Sequence, residues 1–168
     1  MPWGEGRKWL TKPGLTQKIL GDWMLQSTFS VASGTPFTAR VLGNASDVAR
    51  GTNGTLRADY NGEAIQIGNR SLKHWFNTAA FTVPAANTYG NSGRNTIIGP
   101  GSVLMSLALS KNIPMKDSTG LEMRAEAANV LNHPNYSSID STVNSPTFGE
   151  VTSVGSMRKM TLSLRYRF

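Results

Sequence analysis

Lys159-Met160-Thr161-Leu162-Ser163-Leu164-Arg165-Tyr166-Arg167-Phe168 alternates without an exception. The even positions Met160, Leu162, Leu164, Tyr166 and Phe168 are apolar, and the odd positions Lys159, Thr161, Ser163, Arg165 and Arg167 are polar or charged. Successive side chains of a strand point to opposite faces, so this period of two predicts a β-strand with one apolar and one polar face. Two surroundings suit such a strand. In a water-soluble sheet the apolar face packs on a core, whereas in a membrane barrel it meets lipid and the polar face lines the lumen.

Working toward the N-terminus, three more segments carry the same period. Leu121 to Leu131 sets Leu121, Met123, Ala125 and Ala127 against Glu122, Arg124, Glu126 and Ala128. Its Leu, Glu, Met, Arg and Ala content favours a helix capped after Ser118 or Thr119, so propensity and period conflict here. Val103, Met105, Leu107 and Leu109 alternate with Ser106, Ala108 and Ser110, and Pro114 with Lys116-Asp117-Ser118-Thr119-Gly120 marks a turn. Further back, Trp23, Leu25, Phe29 and Val31 face Gln26, Thr28 and Ser30, with Met24 and Ser27 as exceptions. Phe37, Ala39 and Val41 against Thr38 and Arg40 extend this segment beyond Gly34-Thr35-Pro36, which predicts one long strand interrupted or bulged at the Gly-Pro site.

The connections between these strands are unequal. Residues 42–101 and 132–155 are rich in Asn, Gly, Ser and Thr and show no apolar period, while the connection through Pro114 is short. A structureless loop as long as the first is uncommon inside a compact soluble domain. Outer-membrane barrels have short periplasmic turns and long extracellular loops. With Phe168 at the periplasmic rim, Lys159–Phe168 runs inward, Leu121–Leu131 outward, Val103–Ile113 inward and Trp23–Val41 outward. Residues 1–22 then form a periplasmic turn region, and 42–101 and 132–155 are extracellular loops. The expected fold is all-β: about four antiparallel strands with long loops, a section of a transmembrane barrel that does not close alone.

Composition narrows the alternatives. No run of eighteen apolar residues occurs among the 168, which rules out a transmembrane helix and leaves membrane strands open. Cysteine is absent, so disulfides and thiolate chemistry are excluded. The net charge of +7 is scattered, its densest groups being the pairs Arg7-Lys8 and Arg158-Lys159, and no nucleic-acid partner is expected. The first twenty residues lack the apolar stretch of a secretory signal, and the start of an exported protein is expected upstream of Met1.

Short motifs add a family resemblance. In order they are Pro2-Trp3-Gly4-Glu5-Gly6-Arg7, Leu20-Gly21-Asp22-Trp23, Ser33-Gly34-Thr35-Pro36-Phe37, Trp75-Phe76-Asn77 with Ala80-Phe81, Gly90-Asn91-Ser92-Gly93-Arg94-Asn95 and Gly99-Pro100-Gly101. Arg124-Ala125-Glu126, Asn132-His133-Pro134-Asn135, Asn144-Ser145-Pro146-Thr147-Phe148-Gly149 and Leu164-Arg165-Tyr166-Arg167-Phe168 complete the series. Together they resemble the C-terminal barrel portion of Oar-like TonB-dependent outer-membrane transporters, a group with a carboxypeptidase-regulatory-like domain. The resemblance implies that Leu121–Leu131 is a strand and that the chain belongs to a large, 22-stranded plugged barrel. It also implies residence in the outer membrane of a Gram-negative-type bacterium. The implied partners are outer-membrane lipid, the barrel-assembly machinery, the remainder of the barrel and its plug, with TonB engaged only through an N-terminal part not present here. Ala127 and Ala128 depart from the pattern where aromatic residues are usual, and Ser106 where an acidic residue is common.

The same resemblance marks Leu164, Tyr166 and Phe168 as a barrel-assembly signal; the plain alternative is a terminal strand that happens to end in Phe. Ser156-Met157-Arg158-Lys159 has the S-x-x-K spacing of penicillin-recognising enzymes, but it enters a strand and lacks a K-T-G partner. His74 and His133 stand apart without ligand spacing. Asp47, Asp59, Glu63, Asp140 and Glu150 read as solvated loop charge, and Gly4-x-Gly6 opens no βα unit. No enzymatic activity, catalytic residue, cofactor or metal is therefore expected. Glu122, Arg124 and Glu126 are placed to pair with Lys159, Arg165 and Arg167 on the next strand. The leading expectation is a share of the barrel wall and loops of a TonB-dependent receptor for substrate uptake. The alternative is a soluble or surface-exposed β-sheet adhesin or carbohydrate-binding module, in which Met160, Leu162, Leu164 and Tyr166 would pack under a second layer.

Overall fold

The computed structural model describes residues 19–41, 56–115 and 119–168. Most of the expected periplasmic turn region 1–22 and the first part of the 42–101 connection lie outside them. In chain order the strands are β1 (Trp23–Ala32), β2 (Pro36–Phe37), β3 (Asp59–Tyr60), β4 (Phe81–Thr82) and β5 (Ile97–Ile98). They continue as β6 (Ser102–Pro114), β7 (Gly120–Ala128), β8 (Tyr136–Ile139), β9 (Val151–Val154) and β10 (Lys159–Arg167). The fold is all-β, and among the described residues no sheet closes on itself.

The chain divides into two compact units, each described by itself. The first contains β1 up to Ser30, Val103–His133 and Ser156–Phe168. Its four-stranded sheet has the order β1-β6-β7-β10. These are the four alternating segments of the sequence. β7 is a strand despite its helix-forming residues, because it is hydrogen-bonded between β6 and β10 and its alternation matches theirs. The register pairs Leu162 with Ala125 and Ala125 with Leu109, and likewise Leu164 with Met123 and Tyr166 with Leu121. Directly paired residues share a face, so the apolar rows of β6, β7 and β10 lie together on one side.

Two boundaries differ from the sequence expectation. β7 ends at Ala128, short of Leu131, because Asn129 adopts φ +49° and turns the chain out of the strand. The Asn129 amide donates to the carbonyls of His133 (2.9 Å) and Ser156 (3.2 Å), and its oxygen accepts the His133 N–H (3.1 Å). β1, an edge strand of the sheet, stops at Ala32, and Pro36-Phe37 pairs with Ile97-Ile98 instead of continuing it. Gly34 lies so close to the Gly99 backbone that a Cβ there would sit 1.8 Å from the Gly99 carbonyl oxygen. Only a residue without a side chain permits this approach.

The second unit comprises Val31–Ser102 and Pro134–Gly155, so the two expected loops fold together around one core. Ala39, Val41, Leu56, Ala58, Phe76, Ala80, Phe81, Ile97 and Ile139 are buried, and Phe148 and Val151 from the second connection pack against them. Phe76 meets Phe81 and Phe148 edge-on, with centroids 6.1 and 5.2 Å apart. Three two-stranded ladders, β2–β5, β3–β4 and β8–β9, frame this core.

Candidate functional site

The sheet of the first unit presents two chemically opposite faces. On β10 the apolar row is open to the surroundings: Met160 is 71% exposed, Leu162 80% and Leu164 68%. Leu25, Phe29 and Val31 of β1 are exposed as well. Among the described residues no second layer covers these side chains, which the adhesin alternative requires. Large apolar side chains left open along a sheet indicate a non-aqueous partner.

The polar face carries ion pairs. Arg165 stands opposite Glu122 in the register, and Glu122 Oε2 accepts from Arg167 Nη2 at 2.9 Å and lies 3.9 Å from Arg165 Nη1. Arg124 pairs with Glu126 two residues along β7, so this charge is balanced within one strand. Lys159 faces Ala128 and takes no part in the expected cross-strand row.

One cation sits on the apolar side. Lys111 falls in the row with Met123 and Leu164, yet it is only 5% exposed. Its ammonium donates to the carbonyls of Ile19 (3.0 Å) and Gly21 (2.6 Å) and lies 5.3 Å from the Trp23 ring centroid. The aliphatic stem thus remains in the apolar row while the charge finds backbone acceptors at the start of β1. Trp23 is at the same end of the sheet as Tyr166 and Phe168, whose rings stack at 6.3 Å. Aromatic residues at the end of an apolar band occupy the membrane–water interface in barrels.

The three residues of the expected assembly signal lie on or just beyond β10. This strand ends the sheet order, so one of its backbone edges has no neighbouring strand among the described residues. Leu164 and Tyr166 belong to its apolar row, and Phe168 follows its last residue, fully exposed.

The remaining candidates are braces within loops. Asp59 accepts the Asn91 N–H (3.1 Å), and Glu63 accepts from the Asn77 amide (3.0 Å). Asp140 accepts from the Thr142 N–H (2.9 Å) and the Thr147 hydroxyl (2.7 Å). Burial raises the Asp140 pKa, but hydrogen bonds from Ser145, Thr147 and Thr142 outweigh it and hold the carboxyl below its ordinary value. His74 belongs to the second unit and His133 to the first, where its backbone is held by Asn129. Ser156 turns its carbonyl to Asn129, and Lys159 opens β10, so the S-x-x-K residues do not share a helical face. Asp47 lies outside the described residues. Sequence reasoning missed Asn129 and Lys111: the first lies inside the segment read as the strand Leu121–Leu131, and the second takes the next odd position after the row Val103 to Leu109.

Several motifs of the family resemblance meet inside the second unit. Trp75 N–H donates to the Gly149 carbonyl (2.9 Å), joining Trp75-Phe76-Asn77 to the Phe148-Gly149 motif. Gly149 has φ +88°, and a Cβ there would lie 2.4 Å from the Thr78 methyl. Ser92 N–H donates to Ala58 (3.0 Å), and the Asn95 N–H donates to the Thr38 hydroxyl (2.9 Å).

A sheet with an open apolar face, an ion-paired opposite face and interfacial aromatics at one end has the construction of a transmembrane β-barrel wall. The family model described as outer membrane beta barrel domain matches residues 1–161, and the chain belongs to that family. No curated protein and no solved structure matches it.

Proposed function

We propose that the chain forms the C-terminal part of the wall and surface loops of a TonB-dependent receptor that imports a substrate across the outer membrane of a Gram-negative-type bacterium. The exposed row Met160, Leu162, Leu164 and Tyr166 on β10, backed by the Glu122–Arg167 pair on the polar face, carries the barrel-wall part of this reading. The ordered series of motifs supports the receptor part. In this arrangement the short β6–β7 connection and Phe168 lie at the periplasmic rim, and the loops 42–101 and 132–155 are extracellular. Plug and TonB contacts belong to the rest of the protein, and Leu164, Tyr166 and Phe168 engage the barrel-assembly machinery.

Fractionation followed by an energised uptake assay tests the proposal. The full-length protein is expected in the outer membrane, released only by detergent, and its substrate uptake is expected to stop when TonB is deleted. Recovery in the soluble periplasmic fraction would overturn the barrel role. Uptake that survives loss of TonB would overturn the receptor assignment alone.

A further inference from the structure

The apolar face is not flat. A hollow of about 380 Å³ opens on it, lined by Trp23, Leu109, Met123, Ala125, Leu162 and Leu164. Its floor follows from one residue: Ala125 stands between Leu109 on β6 and Leu162 on β10, and offers only a methyl group. Neighbouring strands are about 4.8 Å apart, so the two leucine walls flank β7 across roughly 9–10 Å. The next residue along this row, Ala127, is again small and pairs with Leu107 and Met160 beyond the lining of the hollow. Trp23 closes the other end, its ring carrying the Lys111 ammonium that Ile19 and Gly21 hold. A cation and an indole side by side mark the headgroup level of a membrane, so the hollow runs from that level into the apolar band.

We infer that this hollow seats one acyl chain of a glycerophospholipid. The outer face of a barrel in this family is covered by lipid, and a single-file trough with an indole at its polar end fits an extended hydrocarbon chain. A protein partner would need a complementary surface of about 1,000 Å² around its knob, whereas Leu162 and Leu164 stand out beside the trough at 80% and 68% exposure. The choice of phospholipid over the lipid A of the outer leaflet rests on the orientation proposed above, which puts Trp23 at the periplasmic side. A side chain larger than Ala at position 125 fills the trough without placing a polar atom in lipid.

Native mass spectrometry of the full-length protein, extracted from outer membranes in mild detergent, reads the occupant directly. Wild type is expected to retain one phospholipid per chain. Ala125→Phe is expected to reduce that fraction roughly tenfold, a loss equivalent to about 1.4 kcal/mol. Ser27→Phe, on the Trp23 side of β1 but outside the lining, is expected to retain it. Folding of each variant is checked by its heat-dependent gel migration, and Ala125→Leu replaces Ala125→Phe where the latter fails to fold. Equal retention by the folded Ala125 variant, or no retained lipid in wild type, would overturn the site. Retained lipid A would overturn the phospholipid assignment with its orientation, and a lipid-free dimer abolished by the Ala125 variant would replace lipid with a second copy. None of these readings depends on TonB-driven uptake.

Discussion

Asn129 and Asp140 show how single polar residues hold this chain. Asn129 is 1% exposed, adopts a left-handed backbone, and makes three side-chain hydrogen bonds across the end of the sheet. Ala tolerates that backbone less well and makes none of the bonds, so Asn129→Ala is expected to cost about 2–4 kcal/mol. Asn129→Gly restores the backbone freedom but not the bonds and should fall between Ala and wild type in thermal unfolding. Equal melting of all three would remove Asn129 from this role. For Asp140 the sign is set by its depressed pKa. A carboxyl held below its ordinary value of 3.8 in the folded state stabilises above that pH, and the contribution disappears as pH falls through the folded value. Acid titration below about pH 4 should therefore loosen the 140–149 turn, followed by amide exchange. Asp140→Asn should flatten that step, and a step unchanged in the variant would place its origin elsewhere.

Among the elements, β7 and β10 test how far an alternating sequence carries. The alternation of Lys159–Phe168 assigned every residue of β10 to the face that the register with β7 then confirms, because a period of two leaves no freedom once one face is chosen. The pairing of Arg165 and Arg167 with Glu122 was legible for the same reason. The end of β7 was not, since Leu121–Leu131 reads as one segment in letters while the backbone turns at Asn129. Nor was the partner of Lys111, because carbonyls of Ile19 and Gly21 have no side-chain identity to read in a sequence. The Glu122 cluster itself should contribute little, with Arg165 and Arg167 each well over half exposed. Glu122→Gln is expected to change stability by less than about 1 kcal/mol at low salt. The difference from wild type should shrink further at high ionic strength in parallel denaturant titrations. A larger, salt-independent loss would mean that Glu122 serves something other than these two arginines.

At the scale of the whole molecule, the two long connections hold the largest departure from a loop reading. Their Asn, Gly, Ser and Thr content conceals a core, because Leu56, Phe76, Phe81, Ile97, Ile139 and Phe148 are spaced without a period and meet only through distant contacts. The motifs Trp75-Phe76-Asn77 and Phe148-Gly149 pointed to a family but not to each other; their contact is a property of the fold. Phe76 anchors it, 2% exposed and in edge contact with Phe81 and Phe148. Phe76→Ala removes an aromatic ring from a closed core and is expected to cost the second unit about 3–5 kcal/mol. The sheet of the first unit contains none of the core residues around Phe76 and draws its stability from its own ladders. Hydrogen exchange on the full chain in detergent should therefore split the response: faster exchange across 56–101 and 134–155, with β6, β7 and β10 as protected as in wild type. Uniform loss of protection through both units would show instead that the loops and the wall unfold as one.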